Sequence, residues 1–314
     1  MFQQLNHPDR PHDKHTPDQR PRLGIVGAGR IGGALAVTLA AQGYTIGAIF
    51  SRRFESAAKL AERVAARAVD SAVQVAIDAD LIFVCVPDSA LVEVCQQISR
   101  IDHGELTDRA VVHTSGAMPV SVLNSLQTRG AHIGGLHPFL PVVQPTFAAG
   151  GVFGLEAADP TLRDWLTAIV ATLGGSALWL PPNVNRARYH AAAVFASNYL
   201  VTLFAESLTL LSNEGIDAVS AQNALLHLTR ATLDNIERHG PVAALTGPIA
   251  RGDIQTIRAH LNALPSDLAK LYALLGQHTL PLARGRTADP QTLSRLQELL
   301  QTLQEVFHHA NDDS

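Results

Sequence analysis

The sharpest chemical signal is the run Gly27-Ala28-Gly29-Arg30-Ile31-Gly32, whose glycines stand in GxGxxG spacing. It directly follows an apolar stretch, residues 23–26, and opens a helical one, residues 31–42. In that context the first glycine permits a tight turn and the second lets backbone approach a pyrophosphate. The third lets helix pack on strand, while the helix N-terminus offers unpaired N–H donors to an anion. The chemistry implied is dinucleotide binding.

After the second apolar stretch, residues 45–50, an NAD-binding chain usually places an acid that accepts hydrogen bonds from ribose hydroxyls. Here Ser51, Arg52 and Arg53 stand in its place. A hydroxyl and guanidinium groups suit a 2'-phosphate, so NADP(H) is the expected cofactor. Val86 and Pro87, closing a later apolar run, are expected beneath the nicotinamide side of the cleft, with Asp88 as the N-cap of the next helix.

Proton chemistry near neutrality falls to histidine, with 14 in the chain, whereas lysine occurs only at Lys14, Lys59 and Lys270. Cys85 and Cys95 are too few for a disulfide framework and are expected as small buried hydrophobes. No HExxH, paired CxxC, Asp-rich loop or nucleophile elbow occurs, so neither a metal site nor a serine hydrolase is expected. His7, His12 and His15 lie in a proline-rich tail, residues 1–21, that has almost nothing apolar to bury and is expected to be disordered.

The elements that must position these groups alternate. Apolar runs at residues 23–26, 45–50, 81–86, 110–112 and 132–136 read as strands, with helical stretches at 31–42, 55–64 and 89–98 between them. Continuous apolar strands alternating with helices predict a parallel sheet covered on both faces. A further strand is expected at 152–156, a helix at 161–173 and a strand at 176–180. Beyond Pro181-Pro182 the pattern is helical: one long helix over 184–213, then 217–237, 253–264, 266–275 and 290–307. The expected fold is therefore a Rossmann-type doubly wound α/β domain, residues 22–182, followed by an all-α domain, residues 183–314.

At 314 residues, 46% hydrophobic and 17% charged, the chain is long enough for two such domains. Its net charge of -4 leaves no basic surplus for a phosphate backbone, which argues against general nucleic-acid binding. No apolar run is expected to reach the roughly 18 to 20 residues that cross a bilayer, and the N-terminus lacks a secretory pattern, so a cytoplasmic protein is expected.

With these residues in view, the chain resembles a Rossmann-like oxidoreductase family whose C-terminal part is a domain of unknown function, number 2520. The resemblance rests on LGIVGAGRIGGAL, VCVPDSAL, VVHTSGA, GGLHPFLP, FGLEA, RYHAAAVFASNYLVTL and ALTGPIARGD, and covers roughly residues 22–275. More distantly, the order of the two halves is similar to pyrroline-5-carboxylate reductase, ketopantoate reductase and the β-hydroxyacid dehydrogenases. The resemblance implies NADP-dependent reduction of a small carbonyl or imine compound, with a helical domain that pairs two subunits as a homodimer. It also makes ketopantoate, a 2-oxo acid, a candidate substrate.

Hydride arriving at a carbonyl carbon leaves negative charge on oxygen, which needs an acid or hydrogen-bond donors in reach. In the dehydrogenases named above, a lysine and an asparagine four residues apart on the first interdomain helix do this work. Here Asn198 is present, but Val194 stands where that lysine would be. His190 is the substitute expected. On one continuous helix it would lie within about 80° of Asn198, with Ser197 closer still. Ser115 and His137, both at strand ends, are expected on the opposite wall; Thr246 and Arg251, in ALTGPIARGD, are the other candidate substrate contacts, Arg251 as a carboxylate anchor.

Two other functions fit the same nucleotide fold. One is a non-catalytic NADP(H)-binding sensor or regulator, kept open by the missing lysine. The other is deazaflavin-dependent NADP reduction, which has no obvious need of the long helical half.

Overall fold

The computed structural model describes residues 20–102, 104–142, 147, 150–284 and 289–312, with side chains through Gln301. The expected tail, with His7, His12 and His15, lies outside the described residues apart from its last two positions. The chain divides into two compact units that meet in sequence at Val201 and Thr202.

The first unit is an eight-stranded sheet in the order β3-β2-β1-β4-β5-β6-β7-β8. Its strands are β1 (Leu23–Val26), β2 (Ile46–Phe50), β3 (Arg67–Val69), β4 (Leu81–Val84), β5 (Ala110–His113), β6 (His132–Pro138), β7 (Val152–Ala157) and β8 (Ser176–Trp179). Helices α1 (Arg30–Ala41), α2 (Phe54–Arg63), α3 (Ala72–Asp78), α4 (Asp88–Ile98), α5 (Asn124–Gln127) and α6 (Pro160–Thr172) cover it.

Strand alternation builds two cores. Leu81 and Phe83 of β4 face one apolar cluster with Leu35 and Leu39 of α1 and Leu166 and Ile169 of α6. Ile82 and Val84 face the other, with Val75 of α3 and Leu91 and Ile98 of α4. All four β4 residues are consequently buried, as an apolar run covered on both faces requires. Strand order reverses at β1, which pairs with β2 on one side and β4 on the other, and this opens the crevice where such sheets bind ligands.

The sheet departs from the expected pattern in two places. Strand β3 was not foreseen, because a three-residue edge strand beginning with exposed Arg67 carries no apolar run. Strands β6 and β7 pair antiparallel, whereas an all-parallel sheet was expected. A parallel return takes a crossover, usually helical, and residues 139–151 contain no helix among those described.

The expected single helix over 184–213 is two, α7 (Arg186–Ala196) and α8 (Asn198–Asn213), kinked at Ser197 with φ -120° and ψ -68°. Asn185 caps α7 by accepting a hydrogen bond from the Arg188 N–H at 3.0 Å. By length and composition alone, Arg186–Asn213 is apolar enough to cross a membrane, with a mean hydropathy of 1.4. That corrects the expectation that no segment would be.

The second unit packs helices α9 (Ala218–Ala244), α10 (Pro248–Arg251), α11 (Ile254–Ala263), α12 (Ser266–Ala283) and α13 (Pro290–Asp312). Its core holds Ile257, Leu261, Ala273, Leu280, Leu296 and Leu300. Helix α9 bends at Gly240, where φ is 73°. Gly276 was expected to end a helix, but α12 runs through it. The bare glycine lets Leu300 approach, since a Cβ there would sit 3.1 Å from Leu300 Cδ2.

Candidate active site

The GxGxxG turn has the geometry its residue types imply. Gly27 has φ +107°, and a Cβ on it would lie 2.4 Å from the Cys85 carbonyl oxygen, so only glycine fits between β1 and the end of β4. A Cβ on Gly32 would lie 2.0 Å from the Gly27 oxygen. Gly29 differs, with no atom within 4 Å of its open side, and it begins α1 with no side chain capping the helix. No side chain takes up the first-turn N–H groups, which is the condition for holding a phosphate.

A cavity of about 600 Å³ extends from this turn. Gly27, Ala28, Gly29, Ser51, Arg52, Arg53, Val86 and Pro87 line it, together with Phe50, Ser56, Asp70, Ser89 and Gln97, which the sequence did not single out. Arg30, Ile31 and Gly32 are not among its lining residues; Gly32 serves the packing of α1 on the turn. Asp88, expected as a cap, does not cap α4. Pro87 occupies the cap position, and the exposed Asp88 lies in the first turn.

Beyond the strand ends lies a polar cluster built around Arg186, whose side chain is 3% exposed. Its Nη1 donates to Glu156 Oε2 at 2.9 Å, and its Nη2 donates to the Ser115 carbonyl. This fork joins α7 to β7 and to the turn after β5. Burial pushes Glu156 up and Arg186 down from their ordinary values, and each charge pulls the other back.

Tyr189 and His190 follow Arg186 on α7. The Tyr189 hydroxyl and His137 Nδ1 are hydrogen-bonded at 3.0 Å, and the rings of His137 and His190 meet edge to face at 5.8 Å. His190 Nδ1 is buried and has no hydrogen-bond partner among the described residues. Gly116 makes this possible, since a Cβ on it would sit 2.5 Å from His190 Nδ1 and 2.6 Å from His137 Nε2. Burial, reinforced by the Arg186 charge, lowers both His113 and His137 to about 4, so both are neutral imidazoles at pH 7.

The structure thus brings His190, His137 and Ser115 together. The Ser115 hydroxyl accepts from the Ala117 and Met118 N–H groups at 3.2 and 3.0 Å, which shapes the turn. Asn198 lies beyond the kink at Ser197, so the 80° reckoned on a continuous helix does not carry across, and Asn198 is exposed. Thr246 and Arg251 are exposed residues of the second unit. Sequence reasoning missed Arg186, Glu156 and Tyr189. Only two runs of the quoted resemblance, FGLEA with Glu156 and RYH with Tyr189, pointed near them. Among the described residues no cluster of His, Cys, Asp and Glu could hold a metal ion.

Residues 6–138 match the family model of a Rossmann-like domain, and residues 151–279 match that of a domain of unknown function, DUF2520. Among solved structures, the chain is similar to a Bacteroides fragilis protein provisionally named an NADP oxidoreductase, with 28% identity and a TM-score of 0.68 over 82% of this chain and 97% of that one. It shares the fold of a reductive aminase from Aspergillus terreus solved with NADPH and ethyl-5-oxohexanoate, at 20% identity, TM-score 0.60, and 90% and 93% coverage. It also shares that of a pyrroline-5-carboxylate reductase from Coxiella burnetii, at 14% identity, TM-score 0.59, and 91% and 99% coverage. No curated protein matches the sequence.

The buried neutral histidines predict a pH dependence of stability. Their folded values, about 4, lie below the ordinary 6.5, so the unfolded chain binds protons more readily between those limits. Resistance to urea is therefore expected to fall as pH drops from about 6.5 to about 4 and to lose no more from these groups below that. Replacing His113 by Gln should flatten the profile over that window; an unchanged slope would show that the imidazole is not the origin.

Proposed function

We propose that the protein is an NADP(H)-dependent reductase of a small carbonyl or imine compound. The observation that carries this reading is that an uncapped glycine turn and a polar cluster with two buried neutral imidazoles, His113 and His137, stand at the ends of neighbouring strands of one sheet. The Gly27–Gly29 turn would hold the pyrophosphate, and Ser51, Arg52 and Arg53 the 2'-phosphate. Bound there, the reduced dinucleotide supplies a hydride.

The chain's own residues then answer the charge left on oxygen or nitrogen. His190 provides the proton, and Asn198 and Ser197 orient the acceptor. Ser115 and His137 form the facing wall. An imine that arrives protonated asks less of this machinery than a ketone does. The Arg186 fork is already engaged by Glu156 and Ser115, which favours an imine or uncharged ketone over a 2-oxo acid such as ketopantoate.

We further read the protein as a cytoplasmic homodimer that acts on small molecules rather than on nucleic acid or membrane. Phe195 of α7, Val201 of α8, and Val219 and Leu228 of α9 are each more than 60% exposed. Apolar faces of this kind call for a partner surface, and a second copy supplies one.

Three outcomes are expected. Fluorescence titration should show tighter binding of NADPH than of NADH, with Arg52→Ala removing much of the gap; equal affinities in the wild type would refute the phosphate assignment. Light scattering at micromolar concentration should give twice the chain mass, and a monomer would refute the dimer. In a screen of cyclic imines and small ketones, His190→Ala should lower turnover by roughly 100-fold to 10,000-fold with NADPH affinity unchanged. NADPH binding with no turnover of any substrate would instead favour a sensor.

A further inference from the structure

The Tyr189 hydroxyl makes one hydrogen bond among the described residues, to His137 Nδ1 at 3.0 Å. It rests against the bare backbone of Gly154, the cross-strand partner of His137, where a Cβ would come 2.2 Å from it. The ring is held on both sides, by Phe139 at 5.2 Å between centroids and by the Arg186 guanidinium at 5.0 Å. Burial pushes the Tyr189 phenol up, so it keeps its proton.

That proton needs an acceptor. If His137 Nδ1 carried a hydrogen and donated to the phenol oxygen, the phenol hydrogen would have no acceptor among the described residues, and an unmatched donor is the costlier arrangement. The phenol therefore donates to Nδ1, and neutral His137 carries its own hydrogen on Nε2. Nε2 and His190 Nδ1 flank the same point above Gly116. An N–H on the first leaves the second best unprotonated, because a hydrogen on buried, unpartnered His190 Nδ1 would be a donor without an acceptor. The His190 hydrogen then also belongs on Nε2.

We propose that Tyr189 is a positioning residue that fixes His137, and through it His190, as imidazoles protonated on Nε2, so that His190 presents an N–H donor to the acceptor. The role of His190 rests on the reductase reading above, whereas the tautomers do not. His190 is the group that would touch substrate; Tyr189 and His137 act through it. The His190 Nε2–H then donates a hydrogen bond to the negative charge that hydride transfer leaves on the acceptor, and the proton that completes the reduction comes from water.

The test is nitrogen NMR of the full-length protein labelled with 15N-histidine at pH 7, with His137→Gln and His190→Gln used to assign the signals. Both rings should show the Nε2–H pattern, and Tyr189→Phe should convert His137 to a mixture of tautomers while circular dichroism and NADPH affinity stay at wild-type values. With a substrate in hand, Tyr189→Phe should lower kcat about tenfold or more with little change in KM. A wild-type ring protonated on Nδ1, or a His137 signal unaffected by Tyr189→Phe, would overturn the proposal. Intact tautomers in a protein that reduces nothing would count against the reductase reading alone.

Discussion

Much of the site depends on one buried ion pair. Arg186 and Glu156 meet at 2.9 Å with their side chains 3% and 15% exposed, and the same guanidinium binds the Ser115 carbonyl. Two charges removed from water are tolerable only when each is matched, and removing one partner of such a pair typically costs about 3–5 kcal/mol. The pair ties the first turn of α7 to β7 and to the turn that carries Ser115 and Gly116. Tyr189 and His190 are set by that anchor, three and four residues along the helix.

Glycine does complementary work at four points. Gly27 and Gly32 let β1, β4 and α1 approach closely enough to leave the helix N-terminus open, and Gly116 and Gly154 let His190, His137 and Tyr189 lie directly on backbone. Cradle and cluster are thus built by the same device, a missing Cβ where a polar group must come close. Thr114 joins them, since its N–H donates to the Val84 carbonyl at 3.2 Å, at the end of β4 beside Cys85, and it directly precedes Ser115.

What was legible in the sequence was local. The glycine turn and the apolar strands are written in residues adjacent to one another, and each stands within a residue or two of its expected place. Directions and pairings between distant segments were not legible. Nothing in GGLHPFLP says that β6 and β7 run antiparallel, and Arg186 lies 30 residues from Glu156 and 71 from Ser115. The geometry inferred for His190 and Asn198 failed for a related reason. It assumed an unbroken helix, and Ser197 carries no glycine or proline to announce a kink.

The absent lysine is easier to understand against this charge pattern. Val194 is half-buried on α7, and an ammonium there would add a charge to the helix that carries Arg186, which Glu156 already matches. It would require either a further carboxylate or a large desolvation cost. An imidazole can donate a hydrogen bond from a ring nitrogen, and His190 places one on the same helix. On the proposed reading, a donor aimed at the charge that appears during reduction, rather than at charge already on the substrate, stabilises the transition state more than the ground state, and that difference is what accelerates a reaction.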